Sequence, residues 1–132
     1  MDKNLLEALA ARAEQRAQAR SEIKPFVIGG QKIACRKLTP AQQLEYYSAV
    51  AEAGGAAAMI DVCVSLIYDS CPDLQDTELH KALGVIDPYD TVRHLMGVRE
   101  IDRLGGQLLE WNGLLADEGA KDKAAEDAAK NS

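Results

Sequence analysis

The chain has 132 residues, 47% of them hydrophobic but only 5% aromatic, and a formal net charge of −6. That length is one domain, able to bury roughly two thirds of the surface its unfolded chain exposes, and an apolar fraction rich in alanine favours closely approaching helices over a sheet sandwich. Residues 1–54 carry 8 basic and 6 acidic groups and residues 55–132 carry 7 and 15, so no basic stripe offers itself to a phosphate backbone and nucleic acid is not expected as a partner.

From Asn4 to Arg20 strong helix formers run without a break: Leu5, Leu6 and Leu9 near the start, then alanines interleaved with charge. Such a helix has little to bury. Packing on the domain or on a partner is needed to stabilise it, or else it is a frayed surface helix. Residues 1–24 are therefore read as a helical arm, with Leu5, Leu6 and Leu9 as the candidate partner-binding residues. Pro25 to Leu38 changes character, because Phe26, Val27 and Ile28 precede Gly29-Gly30 and Ile33, Ala34 and Cys35 follow. Adjacent glycines between β-branched runs predict a β-hairpin, which should lie against a helix.

Thr39-Pro40-Ala41-Gln42 predicts a helix start, with Thr39 as N-cap, Pro40 at the first helical position and Gln42 as capping-box partner. The helix runs to about Ala53 with Leu44, Tyr47 and Ala51 on one face, and Gly54-Gly55 either ends it or bends it into the next. From Ala56 to Ser70 apolar residues cover nearly every helical direction, which predicts a helix enclosed on most sides at the centre of the core. Pro72 stops it and biases Cys71 towards an extended backbone. The apolar stretch is shorter than the roughly 20 residues a bilayer span requires and contains Asp61; no membrane span is expected.

Two short helices follow, one starting after Asp73 or Asp76 and ending at Gly84, the other with Asp87 as N-cap and Pro88 at its first position, closed by Gly97. The last helix begins near Val98 and carries Ile101, Leu104, Leu108, Trp111 and Leu115 on one stripe. Gly105-Gly106 inside it costs about 1 kcal/mol per glycine relative to alanine, so a neighbouring helix or the hairpin packs closely there, or the helix bends. Residues 116–132 contain no large apolar side chain and read as a flexible acidic and alanine-rich tail. The fold class is mainly α: a small helical domain over residues 25–115 with one N-terminal β-hairpin and a peripheral N-terminal helix. Ile60, Val64, Ile67, Leu104, Leu108 and Trp111 are the expected core.

Little in the sequence carries chemistry. Cys63, Cys71, His80 and His94 do not have the close pairing a zinc site uses. Cys35 is explained by strand alternation, and the acidic residues at Asp73, Asp76, Asp87 and Asp90 by helix starts. No catalytic, cofactor-binding or metal-binding residue is assigned. With three cysteines and no continuous apolar leader at the N-terminus, a reducing cytoplasm is the expected compartment.

The order of elements in "RKLTPAQQLEYY", a buried helix, and "YDSCPDLQDTELHKALGVIDPYDTVRHLMGVREIDRLGGQLLEWNGL" resembles phage tail assembly chaperones of the prophage and long-tailed phage type. The resemblance runs from about Phe26 to Leu115 and rests on a Pro-Asp-Leu segment, a Leu-Gly-Val step, an Asp-Pro helix start and a terminal helix ending in Asn-Gly. It implies a non-enzymatic protein of the host bacterial cytoplasm, absent from the mature virion, that binds the tape measure protein, keeps it soluble and helps gather tail tube subunits. A frameshifted longer product contacting the tube protein and a homo-oligomer are further expectations. The alternatives are a structural tail or connector component kept in the particle, and a small cytoplasmic adaptor.

Overall fold

A computed structural model of the chain describes residues 1–115; the expected tail, 116–132, lies outside the described residues. The elements in order are α1 (Lys3–Arg20), β1 (Ile23–Ile28), β2 (Gln31–Arg36), α2 (Pro40–Glu52), α3 (Ala56–Ser70), a 3₁₀ turn (Pro72–Gln75), α4 (Thr77–Leu83), α5 (Asp90–Leu95) and α6 (Val98–Trp111). The protein is mainly helical with one antiparallel hairpin, as the residue patterns imply.

The hairpin pairs Phe26 with Ile33 and Ile28 with Gln31 across a turn in which Gly29 and Gly30 have φ of 55° and 80°, the positive values a two-residue turn between twisted strands requires. It begins at Ile23, two residues before Pro25, because Ile23 pairs with Arg36. Alternation sends Phe26, Ile28, Ile33 and Cys35 inward. The tip is tied to the last helix: the Gly29 N–H donates to Glu100 Oε1 at 2.8 Å.

Thr39 closes the capping box with Gln42 in both directions, at 3.2 and 3.1 Å, so α2 starts as its sequence dictates. Its inward face lies one position round from the expected one. Tyr46 is buried and Val50 half-buried, whereas Leu44, Tyr47 and Ala51 face solvent. Gly54-Gly55 ends α2 rather than bending it, since Ala53 is already extended and Gly55, at φ 110°, precedes α3.

Helix α3 spans the predicted residues and is the hub, touching α2, α5, α6 and the 3₁₀ turn. Cys63, Val64, Leu66, Ile67 and Ser70 are buried on it. It packs most extensively on α6, and Gly105 is the reason the two approach so closely. A Cβ built there would lie 2.4 Å from Cys63 Sγ and 2.5 Å from Cys63 Cβ, while one at Gly106 would meet open space. Of the two glycines only the first is required by packing.

Asp76 caps α4 by accepting from the Glu78 N–H at 2.8 Å. The next helix starts later than Asp87-Pro88 suggests. Asp87 Oδ1 accepts from the Tyr89 N–H, and i to i+3 bonds join Asp90 to Asp87 and Thr91 to Pro88; this tighter turn leads in, and α5 begins at Asp90. In α6, Ile101, Leu104, Leu108 and Leu109 are buried, and the helix stops at Trp111, leaving Leu115 beyond it and exposed. Two of the expected core residues are only partly buried, Ile60 and Trp111. The Trp111 ring packs at 5.3 Å from Phe26 under the Lys37 ammonium, and its outer edge lines surface grooves.

Asn112 fixes the end of α6 to the start of the domain. It is buried, its Nδ2 donates to the Leu108 carbonyl at 2.8 Å, and its Oδ1 accepts from the Leu38 N–H at 3.0 Å.

Candidate interaction surface

Every residue of α1 is exposed. Leu5, Leu6 and Leu9 are 49%, 56% and 48% exposed, and Ala13 and Ala17 continue the same side at the helical spacing of four. The helix has 18 residues, about 27 Å at 1.5 Å per residue, and its C-terminal end borders the domain. There Arg16, Ala19 and Arg20 border a cleft of about 260 Å³ with Lys37, Gln43 and Trp111. The leucines are carried on the other half of the arm, outside the lining of that cleft, and all three are about half exposed.

Two further apolar faces are open. On α2, Leu44 and Tyr47 are 68% and 62% exposed, and on the hairpin's outer face Ile23 and Val27 stand free. Between hairpin and α6 lies a groove of about 510 Å³ whose floor is Phe26 and Trp111 and whose rim carries Lys24, Arg103, Gln107 and Glu110. The α1 cleft is edged by Arg16, Arg20 and Lys37 with no carboxylate in its lining. The acidic chain therefore has a locally basic flank around its one tryptophan.

The sequence singles out the three leucines first, with the exposed faces of the hairpin and of the helix after Thr39 as the next candidates, but it does not say which face of that helix is exposed. In "LEYY" both Leu44/Tyr47/Ala51 and Gln43/Tyr46/Val50 have helical spacing, and the sequence alone does not rank them. The second set faces inward because Tyr46 finds a partner: its hydroxyl donates to Asp69 Oδ2 at 2.5 Å. The Tyr89 hydroxyl donates to the other oxygen of Asp69 at 3.1 Å, and Tyr68 packs on Tyr89. Burial and then the Asp69 carboxylate hold the Tyr46 phenol well above its usual range. This cluster ties α2, α3 and the entry to α5 together; its phenols are kept protonated.

The remaining candidates for chemistry are scattered. His80 Nε2 lies 2.8 Å from the Leu74 carbonyl, His94 is exposed, and Cys63 is buried against Gly105. Among the described residues no three His, Cys, Asp or Glu side chains converge to hold a metal ion, and no helix is long and apolar enough to cross a membrane. Cys71 lies instead beside Cys35, with their Sγ atoms 3.0 Å apart. The chain matches no protein-family model, and no curated protein or solved structure is found to be similar to it.

Proposed function

We propose that this protein is a phage tail assembly chaperone of the host bacterial cytoplasm that binds the tape measure protein, keeps it soluble, helps recruit tail tube subunits and leaves before the particle is complete. The resemblance over residues 26–115 suggests the family. The observation that carries the binding role is α1, a complete helix with an apolar line of Leu5, Leu6, Leu9, Ala13 and Ala17 and no buried residue of its own.

An amphipathic segment of a helical target offers such a line a complementary stripe. Covering three half-exposed leucines gains about 1 kcal/mol each, less than the roughly 4 kcal/mol or more that association costs. One arm is too weak alone. Several copies arrayed on a long repetitive helix, or an arm assisted by the Leu44 and Tyr47 face of α2, reach useful affinity through effective concentration.

Co-expression tests the reading. The Leu5→Ser, Leu6→Ser, Leu9→Ser chain is expected to stay folded and to lose the ability to keep the tape measure protein soluble; equal solubilisation by the triple variant removes the arm as the binding surface. Mass spectrometry of purified particles tests the chaperone role itself, because a structural tail component is present there in many copies and a chaperone is not.

A further inference from the structure

Cys35 on β2 and Cys71 at the end of α3 are 36 residues apart in the chain, and the fold brings their sulfurs to 3.0 Å with both side chains fully buried. Strand alternation explains why Cys35 points inward, and Pro72 explains why Cys71 is extended at φ −113°. Neither explains why the two thiols meet. A sulfur–sulfur bond is about 2.05 Å long, so closure requires a shift of about 1 Å shared between a strand and a helix terminus. Cys63, the third thiol, lies on the α6 side of α3 against Gly105.

We propose that Cys35 and Cys71 form a dithiol pair that a small hydroperoxide converts to an intramolecular disulfide, stapling the hairpin to the corner after α3. Cys35 is the attacking sulfur. The hydrogen bond from Cys71 lowers its pKa, against the opposing effects of burial and of Asp73, while the Cys71 thiol is raised and keeps its proton. The Cys35 thiolate attacks one oxygen of hydrogen peroxide, the O–O bond breaks, and the departing hydroxide takes a proton to leave as water. Cys71 then attacks the sulfur of the resulting sulfenic acid; the S–S bond forms, the S–O bond breaks, and the released hydroxide takes the Cys71 proton as a second water. Two thiols and one peroxide give one disulfide and two waters, with two electrons passing from sulfur to oxygen.

Access comes through the hairpin. Two strands without a third are the least stable kind of sheet and open locally, far enough for a peroxide though not for a bulky disulfide reagent. Once closed, the bond encloses α2 and α3 in a covalent loop and restricts the unfolded chain, which raises thermal stability.

The full chain, reduced and then exposed to hydrogen peroxide near pH 7, provides the test. Alkylation under denaturing conditions is expected to find one reactive thiol instead of three, and the intact mass to fall by two hydrogens. Peptide mapping should join the Cys35 and Cys71 segments, and the melting temperature should rise and return on adding reductant. Cys63→Ala should behave the same, with no thiol left to alkylate. Cys71→Ser should stop at a sulfenic acid on Cys35, which dimedone added together with denaturant traps. Three alkylatable thiols after peroxide, a bond to Cys63 or between chains, or an unchanged melting temperature in the oxidised protein overturns the proposal. The wild-type and Cys63→Ala chains decide it even if Cys71→Ser does not fold.

Discussion

A methyl group added at Gly105 has nowhere to go, because Cys63 occupies the space with its Cβ as well as its sulfur. Gly105→Ala is expected to destabilise the protein by about 1–3 kcal/mol, the usual range for overpacking. Cys63→Ala will not rescue it, since a Cβ remains 2.5 Å away, whereas Cys63→Gly will recover part of the loss; chemical denaturation of the single and double variants measures that coupling. The Cys63 thiol is itself pushed up to about 11 from 9.0, mainly by burial with a smaller part from Asp102. Between those values the native chain holds a proton that the unfolded chain has released. The associated stability is fully present below pH 9.0 and is lost as pH rises through about 11. The buried Tyr46 phenol acts in the same direction, so wild-type melting temperature falls with rising alkalinity, and Cys63→Ala, lacking that one thiol, falls less steeply. Thr91 is a different case. Its hydroxyl is fully buried and has no hydrogen-bond partner among the described residues, so Thr91→Val, which keeps the shape, should raise stability by about 1 kcal/mol rather than lower it.

Elements with their own start and stop chemistry were legible in the sequence. Thr39, Pro40 and Gln42 specify the start of α2 without help from the rest of the fold, and Thr39→Ala should cost about 1 kcal/mol in thermal or denaturant unfolding. Helix α3 was legible at its C-terminal end, where Pro72 stops a run too apolar to be anything but enclosed, whereas Gly54-Gly55 could have ended α2 or bent it into α3. What local pattern did not reveal was direction. The choice between the two faces of α2 depends on Asp69, on another helix; the burial of Leu109, one position off the expected stripe, depends on α6 having neighbours around more than one side. The partial exposure of Trp111 has a similar origin, since the hairpin covers only the side of the ring that meets Phe26. Trp111→Ala should therefore cost about 2 kcal/mol, below the usual 3–5 for an aromatic residue emptied from a sealed core. The arm is the complementary case: its helicity was plain from composition, but whether it docked on the domain was not, because three leucines suffice for either outcome. With all of α1 exposed, the triple serine variant should melt with the wild type.

At the scale of the whole molecule, the sequence indicated the class and the central helix, while the long-range ties that close the domain were invisible to it. Glu100 holds the hairpin turn across 71 residues and Asn112 holds Leu38 across 74; nothing in an Asn-Gly pair announces that its side chain will reach back to the other end of the fold. These ties, with the pairing of Cys35 and Cys71, make the hairpin a lid whose fastenings all lie later in the chain. That has a consequence for synthesis. A nascent chain emerges with its arm ahead of its hairpin, and neither the Glu100 nor the Asn112 anchor exists until α6 has been made and released. Non-local closure of this kind is slow relative to helix formation, so α1 should be helical and available to a partner while the domain behind it is still open. Ribosome-arrested chains halted before Asn112 has emerged should leave the hairpin open to protease, and chains extended past it should protect the hairpin. On that timetable, a partner able to hold the arm would meet this protein before its fold is complete.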